Sequence, residues 1–371
     1  MERDADEVHA PAETSPESDA PAAPSTSSTI NDSHQQTPPP QSPAGHEKSS
    51  DEDTEDQGDG DNETATASLH DDDSTLGEAD YHSETATLSS DILRYREENG
   101  RTYHSYGSTE HWGPNDEQAM EQQDLSHHLW TLVLEDKFFL APVTNPQKVL
   151  DLGTGTGIWA MDVADRYPSA EVRGIDLSPI QPLWTPPNCR FEVDDYNIPD
   201  WGVESRYDLI HSRELLGSIP NWLSFLSKAF QALKPGGWID CAEPDIHVTS
   251  DHVQLPDDDP NQQWVKLFRE VSVRSGMTFE PATQLKGWLE DVGFVNVTEK
   301  IYRVPVGIWP QDPKQRTLGL WNQARLSKGM RDFTERRMRN FMGWNDDEID
   351  VLIARSRAAV HNSNLCTQQN L

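Results

Sequence analysis

Cysteine is scarce. Cys189, Cys241 and Cys366 are the only three in the chain. They are too few and too widely spaced for a disulfide framework, and they offer no zinc spacing. They fit a reducing, intracellular compartment, nucleus or cytoplasm. No apolar run approaches the length of a membrane span, so no span is expected, and no signal peptide is expected either. Positive charge is also short: 30 Lys and Arg face 64 Asp and Glu, a net charge of −34. That acidity argues against direct binding to a nucleic acid backbone. The first ninety residues nearly lack aromatics and bases, holding only Tyr81, Arg3 and Lys48. They are instead acidic and rich in Ser, Thr, Ala and Pro. Such a segment cannot bury enough apolar surface to offset its ordering entropy. Residues 1–90 are therefore expected to form a disordered acidic tail, either solvating or interacting.

What remains is long enough for one α/β domain with extensions. Its centre is Lys148-Val149-Leu150-Asp151-Leu152-Gly153-Thr154-Gly155-Thr156-Gly157. A short apolar run reads as a buried strand, three alternate glycines follow, and a helical pattern starts at Ile158. In such a turn, backbone N–H groups can meet a polar ligand without Cβ atoms in the way. The next strand, 171–177, carries Asp176 at the distance where a carboxylate meets the hydroxyls of a ribose. The glycines follow G-x-G-x-G with Asp151 ahead of them, not the G-x-G-x-x-G of dinucleotide binders. This form resembles motif I of class I S-adenosylmethionine (SAM)-dependent methyltransferases.

The chain divides into a helical cap over 91–147, a core over 148–310 and a helical extension over 311–371. In the cap, Ile92–Gly100 reads as a short helix, Arg101–Gly107 as an aromatic-rich loop, and Pro114–Glu117 as the start of a helix. Further strands are expected at 189–193, 207–212, 238–242 and 294–302. Helices are expected at 157–167, after the N-cap Asn221, at 261–275 and 283–291, and as two or three over 315–360. The alternation implies an open, mostly parallel, doubly wound Rossmann-like sheet with helices on both faces.

Ligands of such sheets bind beyond the carboxyl ends of the strands. Those ends carry Gly153–Gly157, Asp176, Asp194-Asp195-Tyr196, His211-Ser212-Arg213 and Glu243. SAM is the expected cofactor, held by Asp151, Gly153, Thr154, Gly155, Gly157, Asp176, Leu177, Asp194, Asp195, Tyr196 and His211. Its amino group suits carboxylates or carbonyls near Asp151 and His211, its ribose suits Asp176, and its adenine amine suits Asp195 or Asp194. Asp151 could instead only shape the turn, and Asp194 and Asp195 could be a solvated strand end. His211, His104, Glu214 and Glu243 are the titratable candidates beside the methyl; His211 and Glu243 are the residues assigned to catalysis. His247 and His252 lie among Asp245 and Asp251, but their spacing matches no metal site, and no metal is expected.

Residues 91–350 resemble one fungal family, the LaeA-like methyltransferases. The strings that carry the likeness are Glu98–His104, Pro114–Glu117, His127-His128, Val149–Trp159, Gly174–Gln181, Pro186–Asp195, Leu233–Trp238, Trp309-Pro310 and Gly343-Trp344. The resemblance implies a class I fold, SAM binding and a place in fungal secondary metabolism. The members are regulators that act with velvet-type proteins, or gene-cluster enzymes, including those tailoring a small molecule by O- or N-methylation. A SAM-fold binding module without methyl transfer is the alternative from another class. Family members usually finish with an aromatic-rich strand, whereas this chain ends in the polar 361–371. The usual seventh strand is therefore expected to be missing, leaving 294–302 as an exposed edge or covered by C-terminal helices.

Overall fold

The computed structural model describes residues 94–198, 201 and 205–371; the acidic tail expected over 1–90 lies outside them. At its centre is a five-stranded sheet of β3 (Lys148–Leu152), β4 (Glu171–Asp176), β5 (Cys189–Val193), β6 (Tyr207–Arg213) and β7 (Leu233–Ala242). The order is β5-β4-β3-β6-β7, and every pairing is parallel. The order reverses between β3 and β6, which opens a crevice above their carboxyl ends. Alternate residues serve opposite faces. Val149, Val172 and Leu209 pack with α2 (Ile158–Arg166), through Trp159, Ala160 and Val163. Leu150, Leu152 and Ile210 pack with α3 (Trp222–Ala232), through Phe225, Leu226 and Ala229, and with Leu285 of α5 (Leu285–Val292). Asn221 caps α3 by accepting the Ser224 N–H.

Before the sheet, the expected helix over Ile92–Gly100 is a hairpin, β1 (Arg96–Glu98) against β2 (Arg101–Tyr103). Asn99 and Gly100 take φ of +52° and +75°, the left-handed pair that a two-residue hairpin turn requires. Helix α1 (Glu117–Val133) follows, capped by the Asp116 side chain on Ala119 N–H. It leans on the long α6 (Pro313–Arg337). Arg101 joins the two units, paired with Asp116 and with Asp332 of α6. α6 runs into a π-helical turn, Met338–Met342. α4 (Pro260–Ser275) and α7 (Asp346–Val360) share its apolar cluster.

Two expectations at the carboxyl end are corrected. Residues 294–302 do not form a strand. Asn296 adopts φ +59°, which breaks an extended run, and Val295 and Ile301 stay exposed. The polar terminus does form one. β10 (Thr367–Asn370) pairs antiparallel with β8 (Val248–Ser250) and β9 (Arg303–Pro305), in a separate three-stranded sheet. Thr367 and Gln369 are buried despite their polarity because each group finds a partner. Gln369 accepts from Arg325 Nη2 at 2.7 Å and donates to Asp245 O at 2.7 Å. Trp309 Nε1 donates to Thr367 O at 2.9 Å. Hydrogen bonds, not apolar side chains, hold this strand.

Candidate active site

The cleft lies at the strand-order switch. Its floor is Asp151 and Gly153–Thr156 after β3, Asp176 and Leu177 after β4, Tyr196 after β5, and His211, Arg213, Glu214 and Leu215 after β6. Its roof comes from the cap and α6: Trp112, Gln122, Gln123, Ser126, Asp332 and Phe333 among others.

The glycine turn is more self-sufficient than its sequence suggests. Gly153 and Thr154 N–H both donate to Ile175 O, and Gly157 N–H to Thr154 O. Gly155 N–H donates to Asp176 Oδ2 at 2.9 Å, and Thr156 N–H to Gln123 Oε1 at 3.1 Å. A pyrophosphate would need such donors free. This turn instead offers a flat backbone wall, as a nucleoside without phosphate requires. A Cβ on Gly153 would meet Leu215 Cδ2 at 2.6 Å and close that wall.

Asp176 faces the cleft at the head of β4 and accepts the Ser178 and Gly155 N–H groups. Burial pushes its carboxyl above the usual range, with Asp151 nearby adding to the effect. Hydroxyl donors from a ribose would relieve that burial. Asp151 is committed inward. Its Oδ2 accepts from Thr154 Oγ1 at 2.6 Å, and its Oδ1 from His211 Nδ1 at 2.8 Å. The parallel register sets these two residues side by side on β3 and β6. His211 also stacks on Trp159, with ring centroids 3.6 Å apart and planes at 6°. It therefore enters the cleft as a fixed wall.

The strand ends do not all converge. Asp194, Asp195, Gly157 and Glu243 are not among the cleft-lining residues. Asp195 accepts from Thr109 of the cap and from Asn197 N–H, while Asp194 accepts from Asp195 N–H. Gly157, at φ +80°, is the N-cap of α2. Glu243 sits beneath the loop after β6, accepting Leu215 and Leu216 N–H at 2.8 and 3.1 Å. Burial pushes its carboxyl up to about 8. His104 is buried in the cap and accepts His111 N–H at 3.3 Å, away from the cleft lining.

Several lining residues were not singled out from the sequence. Glu214 was, but its setting was not legible: it takes φ +57° and accepts from Ser126, from Trp130 Nε1 at 2.9 Å and from Arg325 at 3.1 Å. Burial alone would raise its carboxyl, but Arg325 and those donors hold it below the usual range. Arg213 is new. Its Nη2 donates to His127 Nδ1 at 3.1 Å, and His127 Nε2 donates to Asp162 at 2.9 Å. Arg213 is the cation of the floor, suited to a carboxylate. His111 is also new; burial lowers its pKa to about 3, so it is a neutral acceptor. One signal for these residues was available. The buried face of α1 includes Gln122, Ser126 and His127, polar side chains where packing alone would place apolar ones.

The His247 cluster is an ion-pair group. His247 Nδ1 lies 2.5 Å from Asp245, and Nε2 faces Arg269 and Glu280. Among the described residues no three ligating side chains gather for a metal, and no helix is long and apolar enough to cross a membrane.

A family model described as a methyltransferase domain matches residues 127–299. The chain is 37% identical over 275 residues to methyltransferase pytC of Aspergillus terreus, covering 74% of this chain and 85% of that one. It is 36% identical over 243 residues to the secondary metabolism regulator LAE1 of Cochliobolus heterostrophus, covering 64% and 79%. It is 31% identical over 277 residues to the protein-methionine methyltransferase laeA of Emericella nidulans, covering 73% of each.

Proposed function

The chain belongs to the LaeA-like family of SAM-dependent methyltransferases, and from that premise we propose that it methylates a small-molecule acceptor in fungal secondary metabolism. The observation that carries this reading is the roof. Trp112, Phe333 and α1 cover the cleft, with Trp112, Phe333, Leu215 and Tyr196 as apolar surfaces among polar side chains. A roofed cleft with a few aromatic surfaces suits a small molecule better than the surface of a folded protein.

Bound in the cleft, SAM supplies an electrophilic sulfonium methyl. The chain's residues bind, orient and exclude water. Asp176 takes the ribose hydroxyls, and the glycine wall lets the nucleoside lie flat. Arg213 takes the methionine carboxylate. Asp151 holds His211 in one orientation, so that His211 walls the methionine end. Asp195, tied to Thr109, closes the adenine end through the cap. Glu243 positions the Glu214–Leu216 loop from below. His111, its pKa lowered by burial to about 3, is too weak a base to take a proton from the nucleophile, and a nucleophile of low pKa needs no base.

A regulatory role is favoured by a different observation: two of the relatives are named as a secondary metabolism regulator and a protein methyltransferase. In that reading the protein acts in nucleus or cytoplasm, with velvet-type partners. Deletion in the host with metabolite profiling separates the two. Loss of one compound with accumulation of its desmethyl precursor supports the tailoring reading. Silencing of several pathways at once would overturn it in favour of regulation.

A further inference from the structure

Arg337, the last residue of α6, is only 1% exposed. Its Nη1 donates to Phe333 O, one turn back. Its Nε and Nη2 have no hydrogen-bond partner among the described residues. These two nitrogens share one edge of the guanidinium, the edge that grips a carboxylate through two parallel hydrogen bonds. Among the described residues no acid compensates the charge. Arg325, equally buried, is paired with Glu214, and Arg336 with Glu98 and Glu110. Arg337 instead lies among rings. Its guanidinium carbon is 3.5 Å from the Trp112 centroid, 4.3 Å from Phe279 and 5.1 Å from Phe268. Burial alone drives its pKa well down.

Aromatic faces offset part of the desolvation of a cation, but they satisfy no N–H. A buried charge with two orphan donors is costly unless a ligand completes it. The position indicates which ligand. Arg337 is not itself among the cleft-lining residues; it lies behind Trp112 and Phe333, which touch it on one side and line the cleft on the other. Trp112 belongs to the cap segment, held across the cleft by its Nε1 donating to Ser218 Oγ at 3.1 Å. A π-helical turn begins at the next residue, Met338, and such turns recur at functional sites.

We infer that Arg337 is the specificity residue of the acceptor site, and that it receives a carboxylate carried on an apolar body, entering past Trp112. The methyl acceptor is then an organic acid. This rests on the small-molecule reading above, and its test is separable from it. The full chain, saturated with demethylated cofactor, is titrated calorimetrically with benzoate and, separately, inorganic phosphate. Wild type, Arg337→Lys and Arg337→Met are compared, and each is also titrated with SAM. Benzoate should bind wild type, weaken at least about tenfold in Arg337→Lys, which keeps charge but loses the fork, and vanish in Arg337→Met. SAM affinity should stay within about twofold in both variants, because the cofactor groups assigned above do not include Arg337. The Met variant should also melt higher than wild type, since it removes an uncompensated buried charge. A structural arginine would give the opposite sign. Overturning results are no benzoate binding to wild type, equal binding by Arg337→Met, or binding of phosphate in its place. Should Arg337→Met not fold, the Lys variant alone decides. Failure of SAM to bind wild type would instead remove the methyltransferase reading and leave the anion result standing.

Discussion

Gly155 adopts φ +57° and donates its N–H to Asp176, while Gln123 occupies the space a Cβ would need. Gly155→Ala should therefore cost about 1–3 kcal/mol of stability from backbone strain alone. It should also weaken SAM, because the wall and the ribose carboxylate are linked by that hydrogen bond. Thermal denaturation and calorimetry read the two losses separately. Glu243 gives a pH signature. Its folded pKa, about 8, stands above the ordinary 4.5. The folded state thus holds a proton that the unfolded chain releases. The stability from that proton is complete below about pH 4.5 and is lost as pH rises through about 8. Melting temperature should fall across that window in wild type and fall less in Glu243→Gln. Equal slopes would show that Glu243 does not carry the effect.

At the scale of elements, the central sheet was readable because each strand is a short apolar run ending in a polar cluster. Val149–Leu152 followed by the glycines is the clearest case. The hairpin at Arg96–Tyr103 was readable in principle. Asn99-Gly100 is a strong turn signal, but the surrounding Arg96-Glu97-Glu98 looks helical by propensity, and the turn wins. β10 was not readable, since Thr367-Gln368-Gln369-Asn370 has no apolar residue. Its stability depends on Arg325 and Asp245, distant in sequence. Of the candidate site, the floor of the cleft was legible from the strand ends. Most of the roof was not, because Gln123 and Phe333 reach the cleft only through the packing of α1 on α6. Gln369 supports the cleft from behind, through Arg325 to Glu214. Gln369→Leu leaves the Asp245 carbonyl and one Arg325 donor unpaired, and should cost about 1–3 kcal/mol. It should also weaken catalysis without comparable loss of SAM affinity. A denaturant series beside SAM titration checks both.

At the scale of the molecule, a five-stranded parallel sheet supplies the floor of the proposed donor site, while the His111–Pro114 segment, α1 and α6 supply the roof. On the reading proposed above, the same division separates cofactor from acceptor chemistry. Asp176, Arg213 and the glycine wall belong to the sheet, and Trp112, Phe333 and Arg337 belong to the cap and α6. Changes in the second group should therefore alter acceptor choice with little change in SAM affinity, and changes in the first should do the reverse. The most direct test is calorimetric titration of the full chain with SAM and with its demethylated product, in wild type and Asp176→Ala. Both ligands should bind wild type, and the variant should lose at least about 100-fold in affinity, about 2.7 kcal/mol. No binding of either ligand to wild type, or unchanged affinity in Asp176→Ala, would contradict a SAM site built on the glycine turn and Asp176.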